Sequence, residues 1–233
     1  MKKLIPLSLA VIVLLTGLMG SSPTNANAQG AGVVSAILNR MERNRQSMRS
    51  LRASVSMEKF NVQLGDKDKY EGVMAYMPAV GRNAYVRIEW QKPRREILTV
   101  ADGQYQLYNQ RQNTVWEGNA RSASSKNKVS GVLGFLNMSG AQLKSSFNAD
   151  YLGEESLWGG VNTSHLKIVP RGGASYKYAE IWVDSSGMLI QAKVVEKNDD
   201  YTAVRLLNPQ KNVGVSTDEF RQQLPDSVKR VKS

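Results

Sequence analysis

The chain lacks cysteine entirely, so it can form neither a disulfide bond nor a thiolate metal site. It has a single histidine, His165, and it lacks both the G-x-S-x-G nucleophile motif and a glycine-rich phosphate loop. These absences leave few routes to catalysis. They also require the fold to derive its stability from a hydrophobic core.

The residues that remain able to carry chemistry do not gather into a recognisable site. His165 stands beside Leu166 and Ile168 in a predicted strand, so we interpret it as a partly buried, hydrogen-bonded residue rather than a ligand or base. Glu154 and Glu155 are adjacent in a strand and point to opposite faces, which prevents them from acting as a carboxylate pair. We therefore expect no enzymatic activity, no catalytic residue, no cofactor and no metal site.

The N-terminus has the pattern of a secretory signal peptide. Lys2 and Lys3 precede an apolar run over residues 4–19, and Ala26-Asn27-Ala28 supplies the small residues of a cleavage site. Ser21 occupies the position at which a lipid-anchored protein needs cysteine. The sequence thus predicts cleavage after Ala28 and an exported protein without a lipid anchor.

The remaining part, residues 29–233, shows no internal repeat and no linker, which predicts a single domain. Removing the signal leaves 205 of 233 residues and lowers the formal net charge from +11 to +9. This basic balance favours an anionic partner such as a membrane surface or an acidic protein. Nucleic acid is not an expected partner, because the chain is exported and its basic residues are dispersed.

The clearest periodicity lies between residues 83 and 109. Apolar residues alternate with polar ones over one predicted strand: Ala84, Val86, Ile88 and Trp90. Two further predicted strands, Glu96–Ala101 and Gln104–Asn109, are joined by the turn dipeptide Asp102-Gly103. Three antiparallel strands with a shared apolar face need other elements to cover that face.

Similar patterns elsewhere predict about eleven strands, connected as one antiparallel meander. The first covers residues 51–64 with a bulge near Glu58-Lys59, and the last is Arg221–Leu224. An amphipathic helix is predicted over Val33–Ser50, with four arginines and the single acidic residue Glu42 on its polar face.

A polar, serine-rich loop and two short helices interrupt the strands between residues 118 and 148. The first helix is indicated by apolar residues at helical spacing: Val129, Val132, Leu133 and Leu136. The second, Gly140–Asn148, follows the N-cap residue Ser139. Because Gly131 and Gly134 weaken the first helix, we expect a movable flap over the apolar face of the sheet.

Three segments carry a resemblance to a known family: VRIEWQKPRREILTVADGQYQLYN, AEIWVDSSGMLIQAKVVEKNDDYTAVRLLN and the ending FRQQLP. They resemble the periplasmic outer-membrane lipoprotein carrier proteins of the LolA type, and the resemblance covers nearly the whole mature chain. It implies a mainly β (α+β) fold, an incomplete antiparallel β-barrel of about eleven strands. An N-terminal helix and a short helical insert would cover its open apolar side.

The resemblance also implies a function. Such a protein is a soluble periplasmic carrier that accepts lipoproteins from an inner-membrane ABC transporter complex and shields their acyl chains in a hydrophobic cavity. It delivers them to an outer-membrane lipoprotein receptor. We expect this chain to act in the same way, as a monomer.

Cavity-lining residues follow from position in the family and from the alternation described above. Ile88 and Trp90 correspond to apolar strand residues that face the cavity in the family. We expect the acyl chains to contact seven residues: Val86, Ile88, Trp90, Leu98, Val132, Leu133 and Leu136. The alternative is that these side chains simply pack the core.

One position departs from the family pattern. The carriers have an arginine just before a proline, and its side chain helps to close the lid. This chain has Met77 before Pro78, with Arg82 as a nearby substitute, which puts that closure mechanism in doubt. Another class of function also stays open, because related folds carry glycolipids or other lipids, or act as regulatory sensors.

Overall fold

The structure is a computed structural model that describes residues 26–78, 84–120, 134–136 and 138–232. Within these residues, twelve strands form one open sheet. In chain order they are β1 Leu51–Asn61, β2 Asp66–Met77, β3 Tyr85–Lys92, β4 Glu96–Ala101, β5 Gln104–Asn109, β6 Thr114–Asn119, β7 Phe147–Leu157, β8 Val161–Pro170, β9 Tyr176–Asp184, β10 Leu189–Glu196, β11 Tyr201–Lys211 and β12 Lys229–Lys232. The prediction of a mainly β fold with an incomplete barrel is confirmed.

Helical structure is sparse in the described part of the chain. The helices are α1 Ala26–Ser47 and α2 Gly140–Ser146, and the segment Thr217–Phe220 forms a 3₁₀ helix. Residues 134–136 are also helical. Across the described ranges, none of the helices combines the length and the apolar character needed to cross a membrane.

The strands do not form one continuous meander as predicted. Their order across the sheet is β12-β6-β5-β4-β3-β2-β1-β11-β10-β9-β8-β7. Two meanders, β1–β6 and β7–β11, meet where β1 pairs with β11, and the connection between β6 and β7 carries the chain from one edge of the sheet to the other. The sheet therefore stays open between β12 and β7.

The boundaries of α1 differ from the predicted Val33–Ser50. The helix begins at Ala26, so it passes through the predicted cleavage position at Ala28, which the structure leaves untested. It ends at Ser47 because Asn212 satisfies the backbone there. The side-chain nitrogen Nδ2 of Asn212 donates to Ser47 O at 3.1 Å, and its side-chain oxygen Oδ1 accepts from Arg49 N at 2.7 Å. This cap comes from a distant part of the chain, where a local pattern gives no signal.

The predicted bulge near Glu58-Lys59 is wrong. Strand β1 pairs regularly with β2 over its whole length and ends at Asn61. The apparent change of phase arises because Val62 and Leu64 lie exposed in the following turn. The irregularity lies instead at the other end of the strand, where the register of β1 with β11 shifts between Arg52 and Ser54.

The predicted last strand, Arg221–Leu224, is also wrong. This segment lies over β4 and β5, where the side-chain nitrogen of Gln222 donates to Ile97 O and Gln106 O at 3.1 and 3.0 Å. The final strand is β12, close to the C-terminus, and it pairs in parallel with β6. Residues 221–224 are thus held to the sheet by the side chain of Gln222 and not by strand pairing.

Candidate functional site

The concave face of the sheet consists of apolar rows that run across the strands. One row crosses β1 to β6 through paired residues: Ala53, Met74, Ile88, Leu98, Leu107 and Trp116. A second row crosses β1 and β11 to β7 in the same way: Met57, Val204, Ala192, Ile181, Leu166 and Tyr151. The sheet therefore presents one apolar surface of alternating side chains to the helices.

The second row is almost completely covered. Leu166 and Ile181 are 0% exposed, and Ala192 and Val204 are buried as well. The apolar stripe of α1 belongs to the same cluster, through Val34, Ile37, Leu38, Met41 and Met48. We call this region, formed by strands β8–β11 with α1, the packed half.

The first row is covered less completely. Ile88, Trp90 and Leu98 are buried, and the predicted inward face of β3 is thereby confirmed. Their apolar neighbours on the same face are only partly buried, and these are Ala84, Val86, Val100 and Leu107. We call this region, formed by strands β3–β6, the open half. An added apolar ligand would gain burial on this part of the concave face.

The predicted site residues divide between the two halves. Val86, Ile88, Trp90 and Leu98 lie together on β3 and β4. Leu136 instead lies over β10 and β11 in the packed half, where it lines a gap of about 10 Å³ with Ala192, Val204 and other side chains. A gap of that size holds about one water molecule. Val132 and Leu133 lie outside the described residues, and contact of all seven residues with acyl chains stays a prediction.

Helix α2 and the helical residues before it rest on α1 and on the start of β7. The rings of Phe135 and Phe147 lie 5.9 Å apart, and both side chains are buried with Leu143. Ser139 caps α2, as predicted, through a reciprocal pair of hydrogen bonds with Gln142. The predicted second helix is thus confirmed, although it ends at Ser146 and the chain enters β7 at once.

A carboxylate of α1 holds the N-terminus of α2. Glu42 accepts a hydrogen bond from Gly140 N at 2.9 Å, and it forms an ion pair with Arg45 at 2.6 Å. The hydrogen bond from Arg45 is the largest cause of a lowered pKa of Glu42, and the bond from Gly140 acts in the same direction. Although burial opposes them, the pKa falls from its usual 4.5 to about 2. We call this arrangement the Glu42 latch. The sequence marked Glu42 as the only acid on that helix face, but not its partner.

An arginine still stands beside the end of β2, although Met77 replaces the residue expected from the family. Tyr76 is buried on the concave face, and burial raises its pKa to about 12, an effect that the charge of Arg45 opposes. Met77 itself pairs with Tyr85, and Arg82 lies outside the described residues. The positive charge that acts on Tyr76 therefore belongs to Arg45 of α1. Arg45 pairs with Glu42, which in turn accepts a hydrogen bond from Gly140.

His165 lies on the convex face of the sheet. Its ring stacks on Trp182 with centroids 4.2 Å apart, and its Nδ1 lies 3.1 Å from Glu155. The predicted partial burial of His165 is confirmed, whereas its Nε2 has no hydrogen-bond partner among the described residues. In the described ranges, no group of three or more histidine, aspartate or glutamate side chains is arranged to hold a metal ion.

These features define a class of architecture: an open antiparallel half-barrel with one long helix on its concave face. No family model matches the chain, and no curated protein is similar to it in sequence. Solved structures do share the fold. An uncharacterized conserved protein from Thermus thermophilus is 11% identical with a TM-score of 0.55, and the match covers 86% of this chain and 99% of that one.

MucB is similar at a comparable level. It is 14% identical with a TM-score of 0.56, over 83% of this chain and 64% of MucB, so this chain spans just under two thirds of MucB. The complex of MucA and MucB from Pseudomonas aeruginosa gives a TM-score of 0.50 at 14% identity, over 82% of this chain and 61% of the matched chain. A looser likeness, with a TM-score of 0.44 at 12% identity, is to a putative outer membrane lipoprotein-sorting protein domain from Vibrio parahaemolyticus, over 82% and 97% of the two chains. At such identities, the stronger likenesses show the shared fold alone.

Proposed function

We propose that this protein is a periplasmic carrier that binds the acyl chains of lipoproteins on its concave face and ferries them from the inner to the outer membrane. The observation that supports it most is the open half, where partly buried apolar side chains adjoin a buried apolar row. Each methylene group removed from water contributes about 0.8 kcal/mol, so even partial cover holds an acyl chain. The protein itself needs no catalytic group for this task.

The Glu42 latch gives the carrier a way to release its cargo. A carrier must open, and α2 is only seven residues long, held to α1 by Glu42, by hydrogen bonds of Lys144 and by a small apolar cluster. Breaking a charge-assisted hydrogen bond costs about 1.5–3 kcal/mol, which binding to a membrane partner is able to supply. The partners that fit are an inner-membrane ABC transporter complex and an outer-membrane lipoprotein receptor.

A photo-crosslinking amino acid at Val86, on the open half, tests the proposal in cells. Val73 is the matched control, because it is a valine of the neighbouring strand β2 that is 40% exposed on the convex face. We expect adducts with acylated lipoproteins at position 86 and none at position 73. Equal labelling at both positions, or none at position 86, would count against the carrier.

A regulatory sensor is the second candidate function. It is favoured by the fold likeness to MucB, which is known in complex with MucA. The same crosslinking experiment separates the two functions. A sensor yields a single protein adduct without an acyl group, whereas a carrier yields many proteins that share an acylated N-terminus. Adducts with free lipid or glycolipid would indicate another cargo.

A further inference from the structure

Three arginines gather at one end of the open half. Arg94 and Arg95 lie in the turn between β3 and β4, and Arg111 lies in the turn between β5 and β6. The two turns are in direct contact, since Gln110 N donates to Arg95 O at 3.4 Å. All three arginines are exposed. We call them the arginine rim.

The arginine rim forms no ion pair in the described part of the chain, because no carboxylate there lies within 4.0 Å of a guanidinium of the rim. Glu71 pairs with Lys92 at 2.9 Å, and Glu96, beside Arg95, accepts a hydrogen bond from the neutral amide of Asn109 at 2.9 Å. The three exposed cations on two adjoining turns outnumber the adjacent charge of Glu96 and attract an anion from outside the protein.

The arginine rim lies at one end of strands β3 to β5, next to the edge of the apolar face. Trp90 pairs with Glu96, and Glu96 pairs with Asn109, so the two turns begin directly beyond a row in which Trp90 is followed by two polar residues. Tyr70 packs edge-on against Trp90, with ring centroids 5.8 Å apart. Burial and nearby carboxylates raise the pKa of Tyr70, and the charge of Arg94 opposes them, which is consistent with Arg94 lying close to this aromatic pair.

We propose that the concave face also takes an anionic phospholipid, with its acyl chains on the open half and its phosphate bound by Arg94, Arg95 and Arg111. Guanidinium groups bind phosphate oxygens in bidentate geometry, and they retain their charge at every physiological pH. An acyl chain that lies along strands β3 to β5, across the apolar row, places its headgroup at the end of these strands, where the arginine rim lies. This ligand deepens the proposed function, on which it rests, by naming a second lipid class for the same site.

Short-chain lipids in monomeric form test the proposal without a bilayer. Binding of dioctanoyl phosphatidylglycerol is compared with binding of dioctanoyl phosphatidylcholine, which has the same chains and no net charge, by tryptophan fluorescence or calorimetry. Both lipids carry the same phosphodiester, and the choline cation of phosphatidylcholine is repelled by the arginine rim, which predicts about a tenfold or greater preference for phosphatidylglycerol. The variant R94Q/R95Q/R111Q should lose that preference.

The control variant R43Q/R49Q/R221Q removes the same charge from exposed positions elsewhere, and its preference should equal that of the unchanged protein. Equal binding of both lipids, or a control that loses the preference equally, would overturn the headgroup site and leave the carrier standing. If glycerol phosphate binds as tightly as dioctanoyl phosphatidylglycerol, the arginines form a phosphate site to which the acyl chains add nothing. That result also overturns the proposal. If neither lipid nor an acylated lipopeptide binds, the proposed function itself fails.

Discussion

The packed half and the open half of the concave face have the same chemistry and different cover. Both present rows of aliphatic and aromatic side chains, placed by the same alternation in their strands. In the packed half, Leu166 and Ile181 are completely buried. In the open half, Val86, Val100 and Leu107 stay partly accessible. An apolar strand face therefore does not by itself distinguish a core from a binding surface. The elements that pack over the face determine whether it is buried as core or stays accessible to a ligand.

The largest expected effect comes from shortening a side chain in each half. Ile181→Ala should lower the free energy of unfolding by about 2–5 kcal/mol, since it leaves a cavity beneath α1. Val86→Ala should cost less than about 1.5 kcal/mol, because Val86 is already partly exposed. Urea denaturation of both variants measures the difference. Similar costs would show that the two halves are packed alike.

The contact between α1 and the turn from β9 to β10 gives the next effect. Gly187 has a φ of +85°, and an added Cβ would lie 2.3 Å from Arg40 O, so the turn fits against α1 only without a side chain. Gly187→Ala should cost more than about 2 kcal/mol, the cost of a left-handed residue plus displacement of the helix. Gly65→Ala is the control, with φ of +63° and open space around it, and should cost about 1–2 kcal/mol. Equal melting temperatures for the two variants would contradict close docking of α1.

The Glu42 latch should give a smaller, local effect. Glu42→Gln removes the charge that accepts from Gly140 N, so amide exchange in α2 should become faster by a factor that corresponds to about 1–2 kcal/mol. Hydrogen exchange with mass spectrometry measures it. Glu89→Gln, which breaks an ion pair with Arg87 on the convex face, serves as control and should leave α2 unchanged.

The same latch predicts a pH dependence. The pKa of Glu42 is lowered on folding, so its contribution to stability is complete above pH 4.5 and is lost as the pH falls from about 4.5 towards 2. Protection of α2 should decline over this range in the unchanged protein, beyond any decline in Glu42→Gln. If the protection of α2 varies with pH in the same way in both proteins, the Glu42 latch does not stabilise α2.

Local patterns predicted most of the strands, because alternation depends only on neighbouring residues. The inward face of β3 and the cap at Ser139 are examples. Long-range contacts escaped prediction. Gly140 lies 98 positions from Glu42, and Gln222 binds backbone atoms of β4 and β5 more than 115 positions away. No spacing rule in a single sequence connects such partners.

The division of the concave face was likewise beyond the sequence. Val100 and Leu166 stand in strands with similar alternation, and nothing local shows that only the second of them is completely buried. Leu136 illustrates the limit, because it was predicted to contact the same acyl chains as Val86 and Ile88, and it lies over β10 and β11. Helical spacing identifies the apolar side of a flap, whereas its position on the sheet depends on its anchors in α1 and β7.

The most direct test of the central claim is methyl NMR of the protein with an acyl chain that carries a nitroxide spin label. If acyl chains bind on the open half, the methyl signals of four residues should broaden when the labelled lipid binds: Val86, Leu98, Val100 and Leu107. Signals of Leu166 and Ile181, beneath α1, should stay sharp. Broadening confined to the packed half, or no broadening on the concave face at all, would contradict the assignment of the open half as the acyl-chain site.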